Sequence, residues 1–286
     1  MENKEKIAIT TDSTADLSPD ILEKYGIAVF PLHVILGTDE YRDGVDITPQ
    51  MIFDFVAKNK ILPKTSAGSV DEYIEFFKKR LETADVVIHY DISADCSVSY
   101  NNAVAASEQF NGRVKVVDTR QLSTGQGLVV LRACDMVLAG KCVEEIVADS
   151  EEVKLRTQTS FVVDVVDYLY KGGRCTAAAL VATKLLKIHP SITMVEGKLT
   201  PHKKYMGSLK RCIGKYVDDL AEEYPSYDDT RVFITHSCCE PEIVDCIKEK
   251  VAKEFKFKEI IETKAGSVVT SHCGQGTLGV LFITTK

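Results

Sequence analysis

No stretch of the 286 residues approaches the ~20 consecutive apolar positions that a membrane-spanning helix needs. The first ten residues, MENKEKIAIT, are charged and pass directly into a short apolar run, without the hydrophobic region of a signal peptide. A cytoplasmic protein without stable membrane insertion is therefore expected. An excess of positive charge is also missing. With 35 Lys and Arg against 42 Asp and Glu, the formal net charge is -7. This disfavours nucleic acid as a partner, because phosphate backbones are held by clustered Lys and Arg. The densest basic run, Lys203-Lys204 to Lys210-Arg211, reads as a solvated face. Nine cysteines are present, but none form CxxC, and the odd count does not suit a closed disulfide framework. Cys238-Cys239 beside His236 are adjacent to each other and lack a second ligand pair, so no metal site is expected. Walker A and GxSxG signatures are absent, the GxG at Gly274 and Gly276 neither follows a Rossmann pattern nor opens a clear helix, and no cofactor is expected.

What is present is ordinary globular material: 45% hydrophobic and 27% charged residues, with a length that suits two domains. The first half alternates strand and helix. Strands are expected over Lys6-Thr11, Ile27-Leu36, Val86-Tyr90 and Arg113-Val117. Ser18-Pro19, Thr48-Pro49 and Ser69 read as helix caps, and PKTSAGS (63–69) as a loop. A helical stretch runs from Ser123 to about Lys154 with a break near Gly140. Alternation of this kind implies an α/β fold with a mainly parallel sheet. The second half mixes hairpins and helices. Strands are expected over Thr159-Val163, Arg231-Thr235, Glu259-Thr263 and Leu278-Thr284, with a hairpin at Glu196-Gly197. Helices are expected over Val165-Tyr170, Ala177-Leu186, Ser208-Glu223 and Pro241-Phe255. Together they suggest a mixed sheet. The expected division is an N-terminal parallel-sheet domain over 1–157 and a C-terminal mixed-sheet domain over 158–286.

Ligands in such sheets bind beyond the carboxyl ends of the strands. Those ends carry Asp12-Ser13, Thr65-Ser66, Ser93 to Ser97 and Asp118-Thr119, a hydroxyl-rich set. A glycine-rich stretch, Ser271 to Gly279, lies between two apolar runs, where backbone N–H groups can face an anion. Arg174 follows Gly172-Gly173, well placed to meet a carboxylate. Phe53, Phe55, Phe76, Phe77 and Phe161 are expected to fill cores rather than line a tunnel.

TDSTADL (11–17), Pro31-Leu32-His33-Val34, Tyr41-Arg42-Asp43-Gly44, PKTS (63–66), YLYKGGR (168–174) and HCGQGTLGVLF (272–282) resemble the DegV family in order and spacing, over essentially the whole chain. The resemblance implies a lipid-binding protein, not an enzyme in itself, that encloses a long-chain fatty acid at the interface of its two domains. By position it implies Thr65, Ser97, His272 and Arg174 as carboxylate ligands, with Ser66 and Ser99 beside them. It further implies, for the kinase-associated type, presentation of the lipid to a fatty-acid kinase catalytic subunit that makes an acyl phosphate for phospholipid synthesis. The chain departs from the family pattern at Val98, where glycine is usual, and at Met206, where many kinase-associated members carry arginine. Ile188-His189-Pro190 replaces a lysine-bearing version of that segment. Two other readings use the same residues. One is a serine hydrolase on a lipid ester, with Ser97 as nucleophile, His272 as base and Asp12 or Asp118 as orienter. The other is a lipid-free regulatory module.

Overall fold

The computed structural model describes residues 5–175 and 187–285; the helix expected over Ala177-Leu186 lies outside them. Strand β1 (Ile7–Asp12) leads through a single 3₁₀ turn, Ser13–Ala15, to helix α1 (Pro19–Tyr25). Ser18 precedes Pro19 without a side-chain capping bond, and Gly26 closes the helix at φ 65°. The run expected as one strand over Ile27-Leu36 is two: β2 (Ala28–Phe30) and β3 (His33–Leu36). Pro31 stands at the break, where it has no N–H to give to a ladder. β4 (Asp39–Arg42) follows, then α2 (Pro49–Asn59), capped by the Thr48 hydroxyl. The segment expected as a loop over 63–69 contains β5 (Lys64–Ser66), and Ser69 forms a capping box with Glu72 at the start of α3 (Val70–Leu81). β6 (Val86–Asp91), α4 (Ser99–Ser107) and β7 (Val114–Asp118) complete this region, before α5 (Ser123–Leu138) and α6 (Val143–Arg156).

The chain then continues through β8 (Thr157–Gln158), β9 (Ser160–Val162) and α7 (Asp167–Lys171). The hairpin of β10 (Ile188–Val195) and β11 (Lys198–Met206) turns at Glu196-Gly197, as its residues suggest. After it come α8 (Leu209–Glu223), β12 (Tyr227–His236), α9 (Pro241–Glu254), β13 (Glu259–Lys264), α10 (Ser267–Cys273) and β14 (Leu278–Thr284). Helix α10 has no counterpart in the sequence reading, because its valines and threonine favour strands.

Three sheets result. β2-β1-β6-β7 is wholly parallel. β11-β10-β9-β14-β12-β13, with β8 on β14, is mixed. β4-β3-β5 is a small antiparallel sheet. Side-chain alternation along the strands sets the layers. Val86, Ile88 and Tyr90 pack with Leu128, Val130 and Leu131 of α5, while Val87 faces Tyr73 and Phe77 of α3. In the mixed sheet, Phe233, Leu281 and Ile283 join the α5 cluster, whereas Val232, Ile234, Val280 and Phe282 face α8 and α9. Helix α5 is therefore sandwiched between two sheets and buries both of its sides. No helix among the described residues is long and apolar enough to cross a membrane, and no His/Cys/Asp/Glu cluster there has metal-ligand geometry.

The entry of α5 is packed so closely that a Cβ at Gly125 would overlap the buried Thr159 hydroxyl. Helix propensity alone would make alanine better there by ~1 kcal/mol. Overpacking costs more, so Gly125→Ala is expected to lower the thermal midpoint by about 3–6 °C. A raised midpoint would show that α5 has room to move.

Candidate functional site

A cavity with about 900 Å³ of empty space, counting its mouth, is walled by both halves of the chain. Leu32, Ile92, Leu122, Leu169, Val268 and Leu281 give it an apolar wall. Phe161 lines it too, which corrects the expectation that it only fills a core. Phe53, Phe55, Phe76 and Phe77 pack elsewhere, the last three in the cluster between α2, α3 and the parallel sheet. Of the residues named from sequence, Thr65, Ser66, Ser97, Arg174 and His272 all line this cavity.

Thr65 sits on β5, opposite Val34 of β3. His272 sits on α10. Although 207 positions apart, their side chains meet: Thr65 Oγ1 lies 2.7 Å from His272 Nε2. Desolvation, reinforced by the nearby Arg174 guanidinium, pushes the imidazole down to about 3, so the ring is neutral. Its Nδ1 is buried without a hydrogen-bond partner and faces the Cα of Gly172. A buried orphan N–H is rarer and costlier than an orphan acceptor, so we assign the ring proton to Nε2. His272 then donates to Thr65 Oγ1, and the threonine keeps its own hydrogen for a ligand.

Ser97 reaches the same condition by another route. The peptide after β6 turns back on itself, with Cys96 and Ser97 N–H both donating to the Ser93 carbonyl. Ser97 Oγ accepts from the Ser99 N–H at 3.1 Å, which leaves the serine hydrogen free. Ser66 is at the rim, and its hydroxyl donates to the Ala67 carbonyl at 3.3 Å. Ser99 does not reach the cavity. It is fully buried in the first turn of α4, and it serves Ser97 through its backbone instead. Arg174 is exposed, with Nη1 donating to the Gly172 carbonyl at 2.7 Å and its remaining donors available.

The glycine-rich stretch does something other than hold an anion. Gly274 N–H donates to the Thr270 carbonyl and Gly276 N–H to the Ser237 carbonyl, so these donors are engaged internally. The glycines serve close packing. A Cβ on Gly172 would lie 2.5 Å from His272 Nδ1, and one on Gly274 would lie 2.8 Å from the Tyr168 ring. α7 and α10 thereby press together and wedge the imidazole against Thr65.

The hydrolase arrangement is not assembled. His272 meets Thr65, not Ser97, and its other nitrogen has no carboxylate. Asp12 accepts from Thr14 and the Ile92 N–H, and Asp118 from the Ala94 and Arg120 N–H groups. A nucleophile, base and orienter in sequence is what that chemistry requires.

Fold and site together define a class: layered α/β proteins enclosing an apolar cavity whose wall carries free hydroxyl donors beside a neutral imidazole. The chain belongs to the DegV family, whose model, described as uncharacterised proteins of the DegV family, matches residues 6–285. A fatty acid-binding protein of Thermotoga maritima is 31% identical over 281 residues, covering 96% of each chain. A DegV family protein from Thermus thermophilus, solved in a study of its fatty acid binding, superimposes with a TM-score of 0.87 at 31% identity, covering 98% of this chain and 99% of its own. A stearic acid-binding protein from Eubacterium ventriosum gives 0.84 at 27%, covering 97% and 98%.

The depressed imidazole has a consequence for stability. Below its ordinary value of 6.5, an unfolded His272 takes up a proton that the folded ring refuses until about pH 3. Stability is therefore lost as pH falls through that window. Between pH 7 and pH 5 the parent is expected to lose about 1–2 kcal/mol relative to His272→Gln, measured by denaturant unfolding at each pH. Buried acids act alike in both proteins and cancel. Identical pH profiles would mean that the ring titrates normally.

Proposed function

We propose that this protein binds one long-chain fatty acid, with the tail in the cavity and the carboxylate facing Thr65, Ser97, His272 and Arg174, at the meeting of the 1–157 and 158–286 domains. The observation that carries this reading is an apolar cavity of about 900 Å³ with the Thr65–His272 pair in its wall. Apolar walls with a few convergent polar groups are the ordinary makeup of a small-molecule site. A palmitate-like tail offers roughly fifteen buried carbon groups, worth ~12 kcal/mol gross before association costs. The tail supplies affinity and the head group supplies orientation. A carboxylate leaving water must be hydrogen-bonded, and two free hydroxyl hydrogens with a nearby guanidinium meet that need. Related proteins named for fatty acid binding support the same reading.

The finer part of the proposal is that the protein presents the carboxylate to a partner kinase for conversion to an acyl phosphate. Arg174, exposed beside the cavity, is suited to a carboxylate that stays reachable. Met206, where many kinase-associated members carry arginine, is 63% exposed on β11.

Native mass spectrometry of the purified protein is expected to show an added mass of fatty-acid size. Thr65→Ala and Ser97→Ala should keep the fold and speed palmitate exchange about tenfold to a hundredfold, the range of one lost charge-assisted hydrogen bond. Unchanged exchange in both variants would remove the head group from these residues. With a kinase catalytic subunit and ATP, acyl phosphate trapped with hydroxylamine should form on the parent and fall in His272→Ala. Full turnover in that variant would reject a presenting role for the imidazole.

A further inference from the structure

Two of the sequence motifs, TDSTAD and YRDG, contribute no carboxylate to the cavity wall. Their acids are nonetheless buried: Asp16 and Asp43 are 6% and 3% exposed. Both reach the start of α10. Gly266 N–H donates to Asp16 Oδ1 at 2.7 Å, Ser267 N–H to Asp43 Oδ1 at 2.7 Å, and Val268 N–H to Asp43 Oδ2 at 3.3 Å. These N–H groups have no partner within the helix, as at any helix start.

The clamp is built to be tight. A Cβ on Gly266 would lie 3.1 Å from Asp16 Oδ1 and from Asp43 Oδ2, so the two acids close around a bare Cα. Asp16 adopts φ 50°, a left-handed conformation uncommon outside glycine, and its second oxygen accepts from the Ser123 hydroxyl at 2.5 Å. Asp43 is tied back to the small sheet, with its N–H donating to the Leu32 carbonyl.

Helix α10 needs an external hold. It has seven residues, including two valines and a threonine, too short and too β-branched to persist by propensity. One face, Val268, Val269, His272 and Cys273, lines the cavity at i, i+4 spacing. A slip of one residue would turn that face by about 100° and carry His272 away from Thr65.

We infer that Asp16 and Asp43 are positioning residues, a pair of buried carboxyl groups that set the register and rotation of α10 and thereby place the His272 imidazole against Thr65. The inference rests on the reading of His272 as a head-group ligand, and it deepens that reading.

The test uses the full chain in two arms. In the ligand-free protein, ¹⁵N-histidine NMR follows the His272 side chain, identified by its loss in His272→Gln. Asp43→Asn turns one acceptor into a donor facing the helix N–H groups, and it should shift or broaden the His272 signal while leaving His202 unchanged. An unmoved His272 signal would overturn the clamp. In the second arm, Asp43→Asn should speed palmitate exchange about tenfold in the parent and less than about twofold in His272→Gln, since it acts through the imidazole. Equal acceleration in both backgrounds would overturn the proposal, as a merely structural role predicts. Gly266→Ala, which presses on both carboxyl groups, provides the same comparisons if Asp43→Asn fails to fold. Should the parent bind no fatty acid, the functional reading fails, and the NMR arm alone still decides the clamp.

Discussion

The contact between Thr65 and His272 is the point on which the site depends. Neither residue could be placed by its own neighbourhood. Thr65 lies on a three-residue strand that exists only because β3 supplies a partner, and His272 on a seven-residue helix held from outside. Strand and helix propensities act locally and are weak here. The 2.7 Å bond between these residues therefore reports that the small sheet, the α7–α10 contact and the N-terminal carboxyl groups have all come together. Loss of any one leaves a buried polar group unpaired, which costs more than the bond itself contributes.

The second constraint is the doubly packed α5 layer. Its first turns are built from Ser123, Thr124, Gly125, Gln126 and Gly127, all buried. The small side chains bring backbone close to backbone, and the polar ones cross between layers. Gln126 donates to Thr11 Oγ1 and accepts from Thr14, while Thr124 pairs with Thr235 of the mixed sheet. The same segment supplies Leu122 and Ser123 to the cavity wall. A helix that serves two sheets also fixes how far apart they stand, and so how much space is left between their loops.

Much of this was legible in the sequence, and most of the parts that were not share a cause. Alternating strands and capped helices announce the parallel sheet, because burial on a periodic face is a local signal. The hairpin at Glu196-Gly197 and the cap at Ser69 are local too. Thr65, Ser97, Arg174 and His272 were found through ordered motifs rather than periodicity, and the structure brings them to one cavity. Most failures are tertiary. The strand over Lys64–Ser66 and helix α10 are decided by partners far along the chain, whereas the break at Pro31 is local and follows from its missing N–H. Ser99 was named for its hydroxyl, but its backbone is what reaches Ser97. Gly274 belongs to the stretch that reads as room for an anion, yet it and Gly172 are room for neighbouring helices. Nothing in the order of residues says which close approach a glycine permits.

Charge poses a last question, since ionised buried carboxyl groups in an acidic chain would repel another carboxylate. Asp12 and Asp91 share a hydrogen bond in the core, and burial with mutual repulsion pushes Asp12 up to about 8, while burial pushes Asp91 up to about 7. Asp16 and Asp43 are raised as well, chiefly by burial. Burial thus disfavours the ionised form of each of these groups. They still accept hydrogen bonds from Thr14, Ile92, Gly266 and Ser267, the residues that shape the wall and the helix behind it. A protonated carboxyl group organises the backbone without projecting a full negative charge across a poorly screened interior. The protein thus gains the rigidity that buried acids give while burial opposes the charge they would carry beside the cavity. Neutral hydroxyl and imidazole groups and the Arg174 guanidinium are then what lines the cavity, which is what the proposed binding of an anionic head group requires.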